Sequence, residues 1–499
     1  MRSAAALAGL LGAVCCLLAP VPSPAAVYHV DAGGGDDTHS GLSPAAAWRS
    51  LAPVNAAIFQ PGDQILLRAG TRYSGRLAPQ GSGALVAGVP APIRLGRYGA
   101  GPPPRVDAGG NFPEALLLRN VEYWDVADLE LTNLGPAPAP GRAGVRLQAD
   151  GAGPLHQLSL HGLHVHDVNG DLAKSREGCG IFFESRGGND AHFEGLLIAD
   201  CRVARTDRNG ICQRTSGRAR SLGVVIRGCR LEDIGGDGIK IWGSRGALVE
   251  HNVLRGGRRR CTDAAAGIWP FDSDDTVIQY NEVSGMKGTN DGQAFDADYR
   301  CRHSLFQYNY SHDNEGGFLL VCTPGNSFCL DTVVRYNLSQ NDGVNGGRII
   351  HFGGGAANTL LHNNVIYVGP DQDLPLVRCT EWNRGRARDT RFVNNIFYVA
   401  GRVTYDFGTA TNTVFDHNVF FGGHVNPPPD AFAVTNAPPL RAPGSGGAGF
   451  ASLTGYQPAP GSVLPPGISL PNPGEHDFFG RPLPTTTPPA RGLAEAPAF

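Results

Sequence analysis

Val277-Ile-Gln-Tyr-Asn-Glu-Val283, Leu305-Phe-Gln-Tyr-Asn-Tyr-Ser311 and Val333-Val-Arg-Tyr-Asn-Leu-Ser339 are one phrase written three times. Asn281, Asn309 and Asn337 stand 28 residues apart at each step. A fixed period of this size means stacked units sharing one continuous core. The beat extends to Asn252 on one side and to Asn364, Asn395 and Asn418 on the other, and Cys201 and Cys229 hold the same frame position. Each unit is a short β-branched or aromatic run, then Asn, then a Gly/Asp/Asn-rich turn. Ser284-Gly-Met-Lys-Gly-Thr-Asn-Asp-Gly292 has no helical periodicity, which argues against a helical repeat. A leucine-rich repeat lacks its Leu frame here. What remains is a β-solenoid, all-β, with parallel strands stacked coil on coil. Its recurring Asn would form an inward ladder in which each amide bonds the next and also serves the sharp corner.

Composition fits this reading. The chain has 499 residues, 41% apolar and 17% charged, with 69 Gly and 2 Met, which suits a turn-rich β-protein with a sizeable core. A formal net charge of −3 gives no reason to expect a nucleic-acid partner. Residues 1–26 read as an export leader: a basic start, an apolar run from Ala4 to Ala19, and small residues before cleavage after Ala25 or Ala26. The run is too short for a comfortable membrane span and no later one exists, so a secreted monomer is expected. Nine cysteines remain after cleavage, an odd number. Cys322 and Cys329 flank a short loop and are candidates to pair. Cys201 and Cys229 form either a bridge or an unoxidised stack. With no CxxC pair, the cysteines give no zinc site.

The opening segment, residues 27–120, carries "YHVDAGGGDD…SG…AWRSL…PGDQILLRAGTRYSG". Leu51, Val54 and Ile58 share one face of a short helix that would plug the open end of the solenoid. This order resembles the N-terminal cap of secreted right-handed parallel β-helix proteins, a superfamily that includes pectate and alginate lyases and several glycoside hydrolases. The resemblance implies a single-stranded right-handed parallel β-helix over residues 121–423, in about eleven coils by the repeat step. It implies function only by class, because one fold hosts many chemistries. Residues 424–499 are rich in Pro and Gly around the island His476-Asp-Phe-Phe-Gly-Arg-Pro-Leu-Pro484, and read as an extended tail wrapped on the coils.

Candidate chemistry lies on the strands that follow the turns. Gly238-Ile-Lys-Ile-Trp242, Gly267-Ile-Trp-Pro-Phe-Asp272 and Ala294-Phe-Asp-Ala-Asp298 align. If Ile239, Ile268 and Phe295 point inward, Lys240, Trp269 and Asp296 form one outward column and Trp242, Phe271 and Asp298 the next. A slip of one residue would reverse this assignment. Carboxylates flanked by aromatic rings are what a sugar groove needs. Arg378, His351 and Glu381 lie further along the same face, and Asp237 and Asp291 would lean over it from turns. Strand interiors disfavour Asp, so Asp296 with Asp298 calls for a reason. Asp272, Asp274 and Asp275 could lean over the face too, but read more readily as ordinary turn residues.

Three readings follow, with a polysaccharide as partner in each. In the leading one Asp296 and Asp298 are acid and base of a glycoside hydrolase. Their Cα atoms would lie about 6.7 Å apart, within the range for inversion. Trp269, Trp242, Phe271, Arg378 and His351 would bind the sugar, with no cofactor. In the second, a lyase, Asp272, Asp274 and Asp275 would hold Ca²⁺ and Lys240 would take the C5 proton. No lyase motif matches residue by residue. In the third the solenoid is a non-catalytic glycan-binding or surface protein.

Overall fold

The computed structural model describes residues 25–174 and 178–495. The expected leader lies outside these residues, except for Ala25 and Ala26. The chain winds as a parallel β-helix with three ladders of strands. The first runs from Val27–Val30 to Thr411–Asp416, the second from Arg72–Ser74 to Val419–His424, and the third from Glu114–Arg119 to Ile396–Asp406. In the first ladder ten successive parallel pairings join Trp124–Ala127 to Thr411–Asp416, which makes eleven coils. Alternation along each strand sends Ile278, Phe306 and Val334, stacked in register, into the lumen.

Asn252, Asn281, Asn309, Asn337, Asn364, Asn395 and Asn418 form one buried column at the corner between the first and second ladders. The Nδ2 group of Asn281 donates to Asn309 Oδ1 at 3.0 Å, and that oxygen also accepts the Asn281 backbone N–H at 3.0 Å. The same pair of bonds recurs at 3.0 Å from Asn309 to Asn337. The left-handed residue at this corner is not the Asn but the one before it: Tyr280, Tyr308 and Tyr336 have φ of 54°, 56° and 50°. The Asn side chain is therefore placed for hydrogen bonding, and its neighbour carries the backbone cost. The sequons Asn309-Tyr-Ser and Asn337-Leu-Ser have both amides inside this column, out of reach of a glycan in the folded chain. Asn309→Ala leaves buried donors and acceptors of two coils unmatched. It lowers stability by about 1–3 kcal/mol in guanidinium unfolding; a change within error would mean that water reaches the column.

The ends are covered. The helix Ala52–Ala56 buries Val54, and Leu51 just before it is buried too, but Ile58 is 69% exposed because the helix ends at Ala56 and Phe59 takes the inward place. At the other end Asp430 stands where the next rung would be: its Oδ2 accepts the Asn418 backbone N–H at 2.8 Å and the Asn418 Nδ2 at 3.0 Å. The tail then packs Leu440, Leu453, Tyr456, Leu464, Phe478 and Leu493 on Tyr310, Leu338, Val365 and Ile396 of the second ladder. His476 stacks 4.4 Å from Tyr308 and its carbonyl accepts the Tyr308 hydroxyl at 3.0 Å.

All nine cysteines among the described residues are unbridged and buried. Cys322 and Cys329 do not pair, because they sit on different ladders and face apart. Cys329 stacks on Cys301 in the first ladder, while Cys322 turns toward Asp298. No helix among the described residues is long and apolar enough to cross a membrane.

Candidate active site

The third ladder carries the cleft. Its register pairs Lys240 with Trp269, Trp242 with Phe271, and Ile268 with Phe295. Asp296 is next in the first column, followed by Leu320, His351 and Arg378. This is the alignment expected from strand alternation. The cleft has a volume of about 510 Å³, with Asp296, Asp298, Cys322 and Leu320 on its floor and Trp269, Asp291, Tyr299, His351 and Trp382 among its walls.

Asp296 and Asp298 are only 5% and 7% exposed, so these outward-facing carboxylates lie at the bottom of a cleft and not on an open face. One carboxylate oxygen of each, together with the Cys322 sulfur, lies within 4.8 Å of the others. That is short of the spacing expected for inversion. Burial, and then the neighbouring Asp298, drive the Asp296 carboxyl far above the usual carboxylate range. Burial also raises Asp298, to about 6; the Tyr299 backbone N–H, Lys174 and the Cys322 thiol hold it there by favouring its anion. Tyr299 N–H donates at 2.7 Å and the Cys322 S–H at 3.3 Å. Two carboxylates so placed share one proton, with Asp298 the readier to ionise. Asp291, on the loop before the strand, is also raised by burial, and its Oδ2 accepts the Ala265 N–H at 3.1 Å. It is the least covered of the three carboxylates.

His351 lines the cleft as a neutral ring. Burial, then Arg348 and Arg378, push it down to about 3. An Arg348 Nη donates to Nδ1 at 2.9 Å, so Nε2 carries the hydrogen and donates to Thr380 Oγ1 at 2.8 Å.

Several expected site residues stand elsewhere. Lys240 is 1% exposed and outside the cleft lining, its ammonium 5.5 Å from the Trp242 ring and 5.6 Å from that of Trp269. Covered in this way it cannot touch a substrate as a base. Trp269 borders the cleft, but it is 2% exposed, its indole N–H donates to Asp237 Oδ1 at 3.1 Å, and Lys174 also lies over its ring. It is a fixed wall, not an open platform. The open ring is Trp382, 41% exposed. It ends an aromatic row, Trp242, Phe271, Tyr299, Trp382, with successive centroids 4.9, 4.8 and 5.4 Å apart. Trp242 and Phe271 therefore support the rim from outside the lining. Arg378 is also outside it, 4.0 Å from Asp406. Glu381 borders the cleft beside Trp382.

Asp272, Asp274 and Asp275 do not converge. Asp272 is held by Arg220 at 2.7 Å and Arg300 at 3.1 Å, Asp275 by His303 at 2.9 Å, and Asp274 bridges through its backbone to Arg245 and Arg302. Divergent, with Asp272 taken up by two arginines and Asp275 by a histidine, they do not build the six to eight oxygens of a Ca²⁺ cage. The Asp296–Asp298–Cys322 set does not fit a hard cation either, because burial raises the thiol and keeps it protonated. Lys174, Tyr299 and Trp382 were not expected from the sequence. Trp382, in a loop of Asn and Arg, was the one with a signal, since a Trp there has no core to fill.

Comparison with known proteins agrees with the fold. The family "Right handed beta helix region" matches residues 179–366. A lacto-N-biosidase of Bifidobacterium longum is 26% identical, the match covering 83% of this chain and 32% of that protein, so the chain spans about a third of that relative's length. An alpha-1,3-galactosidase A of Akkermansia muciniphila is 31% identical over 20% of this chain and 18% of that one. The crystal structure of a GH136 lacto-N-biosidase from Eubacterium ramulus superposes with a TM-score of 0.63 at 28% identity, covering 75% of this chain and 68% of the other. By ladder, register and likeness, this chain folds as a right-handed parallel β-helix.

Proposed function

We propose that the chain is an exported glycoside hydrolase that cleaves a glycan with net retention. The observation that carries this reading is the meeting of three carboxylates of raised pKa in one aromatic-walled cleft. Asp298, the ionised member of the floor pair, attacks the anomeric carbon as the glycosidic C–O bond breaks. Asp291, partly exposed on the loop, gives its proton to the leaving oxygen. It then takes one back from the water that releases the sugar from Asp298. Asp296 keeps its proton, so the floor carries a single charge. The approach of the floor carboxylates to within 4.8 Å argues against Asp296 and Asp298 as the acid and base of an inverting pair, which need about 6.5–9.5 Å between them to seat a water. Trp382 and Tyr299 offer ring surface to the sugar. The similarity to lacto-N-biosidases supports a glycan bearing a lacto-N-biose unit as the first substrate to try. Elimination has less support, because Lys240 is covered and the Ca²⁺ triad diverges.

The test pairs an oligosaccharide bearing that unit with pectin and alginate. New reducing ends without unsaturated uronates are expected, with the first-formed anomer retained by NMR. Unsaturated products would establish a lyase; binding with no cleavage of any glycan would establish a lectin-like role.

A further inference from the structure

On the second ladder, away from the cleft, Glu130 on strand Glu130–Asn133 lies directly opposite His164 on strand His164–Val168. His166 follows two residues on, so its side chain leaves the same face. The two imidazoles are 4.2 Å apart between centroids. One ligand atom from each of Glu130, His164 and His166 lies within 4.8 Å of the other two. We infer that these three residues form a binding site for a transition-metal dication of the zinc class, bridging two successive coils.

The donor set selects the ion. Two imidazoles and a carboxylate suit Zn²⁺, and also Co²⁺ or Ni²⁺, whereas Ca²⁺ and Mg²⁺ want oxygen alone. Three protein ligands leave the fourth tetrahedral position to water. Ligand atoms around zinc stand about 3.4 Å apart, from bond lengths near 2.1 Å, so modest side-chain rotation closes the site.

The atoms are aimed for it. Asp167 Oδ2 is 2.6 Å from His166 Nδ1, the carboxylate–histidine arrangement that leaves the other ring nitrogen to the metal. That nitrogen, Nε2, is 2.8 Å from Glu130 Oε1. Glu130 Oε2 and both His164 ring nitrogens have no hydrogen-bond partner among the described residues. Arginines surround the cluster: Arg105 on Glu130 Oε1, Arg205 on Asp167 and 3.1 Å from His166 Nδ1, and Arg202 beside His164 in the next coil. They hold the carboxylates in place, and they limit affinity by their charge. The cysteines gave no zinc signal in sequence. An alternating His-x-His shows as one only when the register sets a carboxylate across from it.

Isothermal titration of the whole protein with Zn²⁺, and with Co²⁺ followed by its visible absorption, tests the site. One equivalent is expected, with a Co²⁺ spectrum of tetrahedral type and a thermal midpoint raised by Zn²⁺ but not by Ca²⁺. His164→Ala, His166→Ala and Glu130→Gln should each weaken binding at least about 10-fold, comparable to the loss of a metal-site contact. His164→Ala breaks no hydrogen bond of the described chain, so it reports even if His166→Ala fails to fold. No binding by the wild type, or binding undiminished in folded His164→Ala, would overturn the site.

Discussion

Asp298→Asn is expected to lower turnover of the cleaved glycan by about 10²–10⁴-fold, the usual worth of a group acting on the reacting atoms. The amide keeps the size of the carboxylate and can still accept the Tyr299 N–H, so the unfolding midpoint should hardly move. What it lacks is the anion. The same dependence sets the acid limb of the wild-type profile. Asp298 is raised to about 6 and must be ionised to act, so activity falls as pH drops through that region. Asp291→Asn should fall in the same 10²–10⁴-fold range. Asp296→Asn is the informative comparison, because an amide resembles the protonated acid that Asp296 already is. Its turnover should fall less, and its acid limb should stay close to that of the wild type, since the amide and the protonated Asp296 are both neutral beside Asp298. Full activity in Asp298→Asn on a confirmed substrate would remove the nucleophile from this strand.

Arg208→Met is expected to cost about 3–5 kcal/mol of stability, the penalty for leaving one partner of a buried ion pair alone. Arg208 and Asp237 are both 0% exposed, with Nη2 and Oδ2 3.5 Å apart. The guanidinium also reaches Asp263 and donates to the Ala264 carbonyl at 2.7 Å. Without it Asp237 keeps the Ala266 N–H at 3.0 Å and the Trp269 indole, which do not balance a buried charge. Guanidinium unfolding measures the loss; less than about 1 kcal/mol would mean that water enters and solvates Asp237. Trp269 hangs from this carboxylate, so the surviving folded fraction should also bind glycan less tightly.

The coils were legible because their causes are local and periodic. The recurring Asn marks one corner per turn, and alternation along Gly238–Trp242, Gly267–Asp272 and Ala294–Asp298 places Lys240, Trp269 and Asp296 in one column. What alternation cannot tell is what folds over a column afterwards. Lys240 faces outward as expected and is still covered by Trp242 and Trp269. Asp296 and Asp298 face outward and lie at the floor of a cleft, because loops carrying Asp291 and Trp382 rise beside them. Those loops obey no period, so their side chains could be named but not aimed. The divergence of Asp272, Asp274 and Asp275 has the same origin: a turn that looks acidic in sequence gives Asp272 to two arginines and Asp275 to a histidine, while Asp274 joins neighbouring coils through its backbone.

The Asn column has a direction. Between one Asn and the next, every rung donates toward the C-terminal end and accepts from the N-terminal side, so the amide dipoles add head to tail. Asn is a relay, since its side chain both takes and passes on a hydrogen bond. The Asp430 carboxylate only takes. It meets the electropositive end of the dipole chain with a negative charge and brings the relay to a stop. Coils can therefore be gained or lost anywhere between Asn252 and Asn418 without disturbing the relay, whereas nothing can be stacked beyond Asp430. The column is thus closed to growth at its C-terminal end while its interior can change in length.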